Sequence, residues 1–470
     1  MTNGHVAALD FGATSGRVIV GEVGANVLQM RQFARFANAP VRVGERLHWN
    51  ALALWQGAVD GLAAVGREVP QLLSLAADTW GVDYALLRGG RMLSNPVHYR
   101  DERTLATLQT VHGRMSPAEQ YSRAGIQILP INTIYQLAAD QEDGTAEAAD
   151  ALLLMPDLFS YWLSGVRVAE RTMASTTGMM GAISGDWDPE LVAAAGIRPE
   201  LLPDIVAPGT RLGGLRPELA TTLGMQPEVL TIGAHDTASA VVATPLPEAG
   251  AAFISCGTWG LVGVEREQPV LTEEARLAGF TNESGADGRY LLMRNAMGLW
   301  MLSESVRQWE AGGNRIELPE LLTAAAAVRE EMPIVDVDDP VFAHTGDMPA
   351  RIAQWCAARD LRVPEGEAQI VRCILESLAA AFADAAFEAA RLAGTTLTQI
   401  NIVGGGSQNE LLCQRVADRS GLPVFAGPVE ATALGSILQQ ARTMGVLDGT
   451  LGDLRDLVRR THSVRRHDPR

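Results

Sequence analysis

The chain contains no lysine; all 38 of its basic residues are arginine. That absence excludes a P-loop of the GxxxxGK[ST] type, the strand lysine of protein kinases, and Schiff-base or pyridoxal chemistry, because each needs an amine. Codon bias in a GC-rich genome is the simplest origin, and the chemical exclusion holds whatever the cause. Cysteine is scarce too. Its four copies, Cys256, Cys356, Cys373 and Cys413, form no CxxC pair and no zinc spacing, so buried free thiols are expected and structural zinc is not. No stretch approaches the ~20 unbroken apolar residues of a membrane span. The first residues lack a signal-peptide layout, and a cytoplasmic location is expected. Positive charge is also short. A net charge of -17 argues against nucleic acid or anionic membrane as the main partner. A small anionic ligand stays open, because local backbone amides can outvote global charge.

What is present fits a globular α/β protein. With 470 residues, 47% apolar and 20% charged, the chain can bury a sizeable core. At ~150 residues per domain it divides into three domains, or equally well into two large ones. Leu9-Asp10-Phe11-Gly12-Ala13-Thr14-Ser15-Gly16-Arg17 follows a short apolar run and reads as strand, glycine turn and returning strand. Ile254-Ser255-Cys256-Gly257-Thr258-Trp259-Gly260 is a weaker copy. Such turns present backbone N–H groups and hydroxyls to an anion. Two of them suggest a duplicated domain gripping one polyphosphate from both sides.

Between these turns, 6–23 and 27–35 read as strands joined by Gly24-Ala25-Asn26. Residues 51–65 have helical spacing, and 73–77 form a buried strand leading into Thr79-Trp80-Gly81-Val82-Asp83. Ligands of α/β sheets gather at the carboxyl ends of strands, which gives that segment weight. Leu152 to Leu163 reads as a short helix. A strand over 229–233 runs into Ala234-His235-Asp236-Thr237 and a helix over 238–243. Thr244-Pro245-Leu246-Pro247-Glu248-Ala249-Gly250 is the best linker. It predicts an N-terminal domain over 1–244 and a second over 245–457, with a solvated, mobile tail over 458–470. In the second domain, 367–392 reads as an alanine-rich helix ended by Gly394. A strand over 399–403 then meets Gly404-Gly405-Gly406, a helix over 407–420 follows, and another starts near Glu430.

The glycine run is not a Rossmann fingerprint, because Asn409 stands at the sixth position and no acidic residue follows at the right distance. It suits a flat group lying on the backbone, or a plain strand-to-helix turn. Asp236 reads as an N-cap or as a general base for a hydroxyl. The two are compatible, since a carboxylate at a helix start stays ionised. Asp10 is a turn residue, or a carboxylate holding magnesium through water, with Thr14, Ser15, Arg17 and Thr258 donating to phosphate. Asp83 is a carboxylate at a strand end. His98-Tyr99-Arg100-Asp101 and Asn295 are more often ordinary hydrogen-bonders, and Trp259 and Trp300 read as core.

Taken in order, these motifs resemble the FGGY carbohydrate kinases over nearly the whole chain. The resemblance is carried by Asp10 to Arg17, Asp78 to Asp83, Tyr99-Arg100-Asp101, Gly125-Ile126-Gln127 and Asn132 to Leu137. Leu154-Met155-Pro156-Asp157, His235 to Ala240, Ser255 to Trp259, Asn295 to Trp300 and Val403 to Gly406 complete it. It implies two ribonuclease-H-like (actin-like ATPase) domains flanking a cleft, with sugar mainly on the first and ATP-Mg²⁺ mainly on the second. It implies transfer of the ATP γ-phosphoryl to a ketose, L-rhamnulose first and L-fuculose as the alternative. A catalytically silent sugar sensor on the same fold is the reading from a different class. Asp236 would be the base, and Gly81, His235, Asp236, Thr237 and Asn295 would bind the ketose. Under this resemblance the strand-end placement of Asp83 would suit sugar hydroxyls. Ala13, Thr14, Ser15, Gly16, Arg17, Gly257, Thr258, Gly404 and Gly405 would hold the nucleotide, with Asp10 on Mg²⁺. The chain departs from the family where Ser303 replaces a nucleotide-contacting glutamine and Ser407 replaces a cysteine. Cys356 and Cys373 match positions proposed as a disulfide in the family. Oligomeric state is left open.

Overall fold

The structure is a computed structural model describing residues 3–470. Strand β1 (Gly4–Phe11) turns into β2 (Ser15–Gly24), which turns through residues 25–26 into β3 (Val27–Ala37). Helix α1 (Ala51–Glu68) leads to β4 (Ser74–Thr79); much later come α2 (Arg171–Thr176), β5 (Arg211–Gly214), β6 (Glu228–Leu230) and α3 (Asp236–Ala243). The remaining chain gives β7 (Ala251–Cys256), β8 (Trp259–Arg266), β9 (Thr281–Ser284), β10 (Tyr290–Met297), α4 (Trp300–Ala311) and α5 (Gly366–Leu392). It closes with β11 (Gln399–Val403), α6 (Glu410–Ser420), β12 (Val424–Ala426), α7 (Ala431–Thr443), α8 (Leu451–Thr461) and β13 (Arg465–His467).

The first sheet has six strands in the order β3-β2-β1-β4-β6-β5. Its centre is apolar on both faces: Val6, Ala7, Ala8 and Leu9 of β1 are fully enclosed, as expected of a strand covered on both sides. β1 pairs antiparallel with β2 and parallel with β4, and β6 continues the parallel set. Helix α1 starts where the Asn50 side chain accepts from Ala53 N, and it buries Leu54, Ala58, Leu62 and Val65 along one face. Its Gly61 lets it lie close on the sheet, because a Cβ there would stand 2.6 Å from Val18.

The second sheet contains the order β10-β8-β7-β11-β12-β13. β7 is antiparallel to β8 and parallel to β11, β11 is parallel to β12, and β13 is antiparallel to β12. Position for position this repeats the first sheet: a hairpin, two parallel neighbours, then an antiparallel edge. The duplication inferred from two glycine turns is therefore a duplication of topology.

Two compact units result, one of residues up to Ala243 with Glu265–Leu292 and Ala431–Thr461, the other of Thr244–Val264, Met293–Glu430 and His462–Arg470. A single cut near residue 245 thus misses two returns to the first unit. The second return has a clear cause. Gln440 Nε2 of α7 donates to Ala7 O of β1 at 2.9 Å, and Gln439 Oε1 accepts from Gly233 N at 2.8 Å. Gly435 of α7 comes so near α3 that a Cβ would lie 1.8 Å from Ser239 O. Two further expectations are corrected. The 458–470 segment carries the end of α8 and strand β13, whose backbone bonds to β12. Residues 152–163 are not one helix: Ala151–Leu154 is a strand, and the helix begins at Met155 with Pro156 in its first turn.

Candidate functional site

In the first unit, three carboxylates gather at neighbouring strand ends. Asp10 near the end of β1 is the register partner of Asp78 on β4, so both side chains project from the same face. On the far side of β4, Thr79 bridges to His235 in the segment after β6, and Asp236 opens α3. Asp10 and Asp78 each follow buried strand residues and stay buried themselves, whereas Asp236 opens a helix.

The three differ sharply in environment. Asp10 is buried and ion-paired with Arg17 at 2.6 Å, its cross-strand partner on β2. Asp78 is fully enclosed, and neither of its oxygens has a hydrogen-bond partner among the described residues. Burial first, then Asp10 and Asp236, hold its pKa well above the usual carboxylate range, while Arg17 pulls the other way. Asp236 is open, its side chain 42% exposed. Its Oδ1 takes Thr237 Oγ1 at 3.1 Å and lies 3.3 Å from His235 Nε2.

A buried network holds the backbone before Asp236. Glu170 caps α2, accepting from Thr172 N and Met173 N, and it also accepts from Ala234 N at 3.1 Å. Thr172 Oγ1 in turn accepts from His235 N at 3.1 Å. Burial raises Glu170 to about 7 against these hydrogen bonds, and burial, then Glu170, holds the enclosed Asp157, which accepts from Glu170 N, well above the usual carboxylate range. Loop and helix start are thus pinned to a separate element.

The Thr79–Asp83 segment makes a strained turn. Val82 has φ +68°, and Asp83 N donates to Gly81 O at 2.9 Å, which is a γ-turn of the rarer positive-φ kind. Its surroundings over-determine it: Val82 N donates to Thr176 Oγ1, and Val82 O accepts from Thr133 Oγ1 at 2.6 Å. At Gly81 a Cβ would press on Thr176 at 3.2 Å. Asp83 itself is not an open sugar ligand. It is fully buried and accepts from Trp49 Nε1 at 2.5 Å, Trp80 Nε1 at 2.9 Å, Gln136 Nε2 at 2.9 Å and Tyr99 N at 3.3 Å. Those donors occupy the lone-pair sites of a carboxylate, and burial lifts Asp83 to about 6. Asp83 anchors an aromatic floor in which Trp49 stacks on His98 at 3.9 Å. Burial, then Arg100, lowers His98 to about 4, so the ring stays neutral.

Both expected hairpins are present. In the first, Gly12 N donates to Ser15 O at 2.9 Å and leaves Ala13 and Thr14 exposed. Gly16 is buried, and a Cβ there would meet the Phe36 ring at 2.2 Å, so this glycine serves packing. In the second unit, Gly257 N donates to Trp259 O at 2.8 Å and leaves Gly257, Thr258 and Trp259 exposed. Trp259 is therefore not core. The glycine run lies beside this hairpin, because Ser255 of β7 pairs with Val403 of β11. Gly404 has φ +80° and a Cβ on it would stand 2.9 Å from Cys256 O, whereas Gly405 is exposed with open space over it. Gly298 allows a further close approach: Leu299 N donates to Gly257 O and Trp300 N to Thr258 O, docking the start of α4 on the hairpin. Ser303 is exposed on α4, and Asn295 is half-buried on β10. Cys356 and Cys373 are buried free thiols.

Sequence comparison accounts for this pairing of glycine hairpins and strand-end carboxylates. The N-terminal domain of the FGGY family of carbohydrate kinases matches residues 5–243, and its C-terminal domain matches residues 252–444. The chain belongs to the FGGY carbohydrate kinases. It is 38% identical over 467 residues to a rhamnulokinase of Bacteroides thetaiotaomicron, a match covering 98% of this chain and 95% of that protein. Solved structures share the fold. Gluconate kinase from Lactobacillus acidophilus aligns with a TM-score of 0.79 at 16% identity, over 100% of this chain and 94% of that one. Glycerol kinase from Plasmodium falciparum with ADP aligns at 0.76 and 14% identity, over 98% and 94%. This kinase thus has the two-domain, actin-like ATPase architecture of sugar kinases, and ATP is its phosphoryl donor. No described helix is long and apolar enough to cross a membrane.

Three residues of the site were missed by sequence reasoning. Asp78 had a readable signal, being the first charged residue after a buried apolar strand, as Asp10 is. Glu170 and Glu283 had none, since each reaches His235 from a distant segment. Glu283, in β9, lies with its Oε2 2.9 Å from His235 Nδ1.

Proposed function

We propose that this kinase phosphorylates L-rhamnulose to L-rhamnulose 1-phosphate, with Asp236 as the base. The acceptor rests on the likeness to a protein named rhamnulokinase. The mechanism rests on one observation: of the three clustered carboxylates, Asp236 alone is open, at 42% exposure against 6% for Asp10 and a fully buried Asp78. A base must reach the hydroxyl it deprotonates. Both close contacts of Asp236 fall on Oδ1, so Oδ2 is the atom that takes the hydroxyl proton as the oxygen attacks phosphorus in line. By the family likeness, Gly81, His235, Thr237 and Asn295 are assigned to the ketose, and Ala13, Thr14, Ser15, Arg17, Gly257, Thr258, Ser303, Gly404 and Gly405 to the nucleotide. Each hairpin tip offers backbone amides and a hydroxyl, Thr14 in one and Thr258 in the other, a donor set that suits phosphate oxygens without an amine.

Asp10 and Asp78 fit Mg²⁺: two hard oxygen donors side by side, one with both oxygens buried and unpartnered. Asp10 would act on the cation through water. When bound, Mg²⁺ neutralises charge on the β- and γ-phosphates.

A coupled ADP-release assay over L-rhamnulose, L-fuculose, D-xylulose and glycerol tests the reading. L-rhamnulose is expected to give the highest kcat/KM. Sugar binding by calorimetry without sugar-dependent turnover would instead make the chain a sensor.

A further inference from the structure

We infer that Glu283 is a positioning residue for the phosphoryl transfer: its carboxylate, beside Nδ1, holds by charge the His235 ring whose Nε2 lies against Oδ1 of Asp236. The inference deepens the assignment of Asp236 as base and rests on it. Three observations carry it. Glu283 lies in β9, a strand whose four residues are all buried although all are polar, Thr281-Asn282-Glu283-Ser284. Burying such a strand costs free energy unless each group is paired or used. Asn282 is paired by the scaffold, its Nδ2 donating to Gly125 O at 3.1 Å, whereas Thr281 Oγ1 and Glu283 Oε2 have no hydrogen-bond partner among the described residues, and of these two Glu283 carries charge.

The second observation is the reach of Glu283. Its Oε2 stands 2.9 Å from His235 Nδ1 with both side chains about nine-tenths enclosed. The ring N–H is not aligned on that oxygen as a hydrogen bond would be. The contact is therefore chiefly one of charge, and its strength comes from the enclosure. The third is the other ring nitrogen, 3.3 Å from Asp236 Oδ1.

Charge on the ring follows from what faces it. Burial pulls the imidazole towards neutrality, but Glu283, Asp236 and Glu170 together outweigh it and raise His235 to about 9. At neutral pH the ring is an imidazolium. It engages Oδ1 and holds the carboxylate in one rotation, leaving Oδ2 to the substrate hydroxyl. Without the Glu283 charge, burial dominates, the ring becomes neutral near neutral pH, and Oδ1 loses its cationic partner.

The test uses the full-length enzyme with L-rhamnulose and ATP-Mg²⁺. Histidine-labelled protein gives the His235 midpoint by NMR, assigned with His235→Asn, and kcat/KM is followed from pH 6 to 10. The wild type is expected to titrate near 9 and to lose kcat/KM through the same pH. Glu283→Gln is expected to lower both midpoints together by about two units or more, and to lower kcat at pH 8 by ~10-fold or more with a smaller change in KM. An unchanged midpoint, or a shifted midpoint with an unmoved activity limb, overturns the inference. A purely structural Glu283 would lower the thermal midpoint without moving either titration, which also overturns it. If Glu283→Gln does not fold, Glu283→Asp decides: its shorter reach should lower both midpoints by about half a unit, and no shift overturns the inference. Failure of the base assignment is separable, because Asp236→Asn would then keep normal kcat whatever the His235 titration does.

Discussion

At the scale of single residues the site is a set of carboxylates told apart by surroundings. Asp10 is answered by Arg17 and Asp83 by two indoles, an amide and a backbone N–H, while Asp236 stays open. Only an open, ionised carboxylate can serve as base at neutral pH. Asp236→Asn is therefore expected to lower kcat by roughly 10²–10⁴-fold. Ketose binding by calorimetry should stay within a few-fold of wild type, because asparagine keeps an oxygen towards Thr237. A near-normal kcat would remove Asp236 from the role. Residue types alone marked Asp10 and Asp236 as candidates. They also marked Asp83, wrongly as an open ligand, because nothing local in the sequence says that Trp49 and Gln136 fold over it. A side chain's partners are set by segments far along the chain, and charge pattern does not encode which of several acidic residues ends up enclosed.

At the scale of elements, each glycine turn is a backbone device. The run 404–406 shows how unequal three adjacent glycines are. Gly406 is locked, since a Cβ would lie 2.3 Å from Cys256 Sγ, whereas Gly405 is exposed with nothing within 4 Å. Gly406→Ala is expected to lower the thermal midpoint by several degrees, the cost of overpacking being about 1–3 kcal/mol. Gly405→Ala should leave the midpoint within a degree or so. With Gly405 in the proposed nucleotide site, it should raise KM for ATP by ~10-fold, because a methyl would then crowd the nucleotide. Equal effects of the two variants on KM for ATP would refute this division of labour. The turns themselves were legible because glycine, hydroxyl and flanking apolar residues are local signals. The strand over 151–154 was not, since four apolar residues fit a strand or a buried helix equally, and Pro156 only later starts the helix.

At the scale of the whole molecule, the duplicated sheets put several ionisable groups in full burial, which makes stability depend on pH. His235 is raised from 6.5 to about 9. Its contribution is fully present below pH 6.5 and is lost as pH rises through 9. Asp83, raised to about 6, and Glu170, raised to about 7, act in the same sense at lower pH. His98, lowered to about 4, opposes them there, adding stability as pH climbs from 4 to 6.5. The buried thiols of Cys256, Cys373 and Cys413, raised from 9 to about 12, act above that range. Across the window from pH 7 to 9 His235 acts in the same sense as the enclosed Asp78 and Asp157, whose carboxyls are pushed well above the usual range by burial. A stability loss on the order of 2–3 kcal/mol is expected across it, seen as a falling urea midpoint. Glu283→Gln should flatten that fall, and a wild-type midpoint that does not move between pH 7 and 9 would contradict it.

The sequence by itself determined what is local: absence of amine chemistry, two hairpins built on glycine, the order of the motifs, and membership of a kinase family. These depend on residue type and spacing within a few positions, which the backbone reads directly. Only the tertiary structure decided which carboxylate is open, which is enclosed, and that Glu283 and Glu170 converge on His235. It also decided that Ala431–Thr461 returns to the first unit. Burial and charge pairing arise when segments far apart in the chain share one core, and the free energy of an ionised group depends on that shared enclosure more than on its neighbours in sequence.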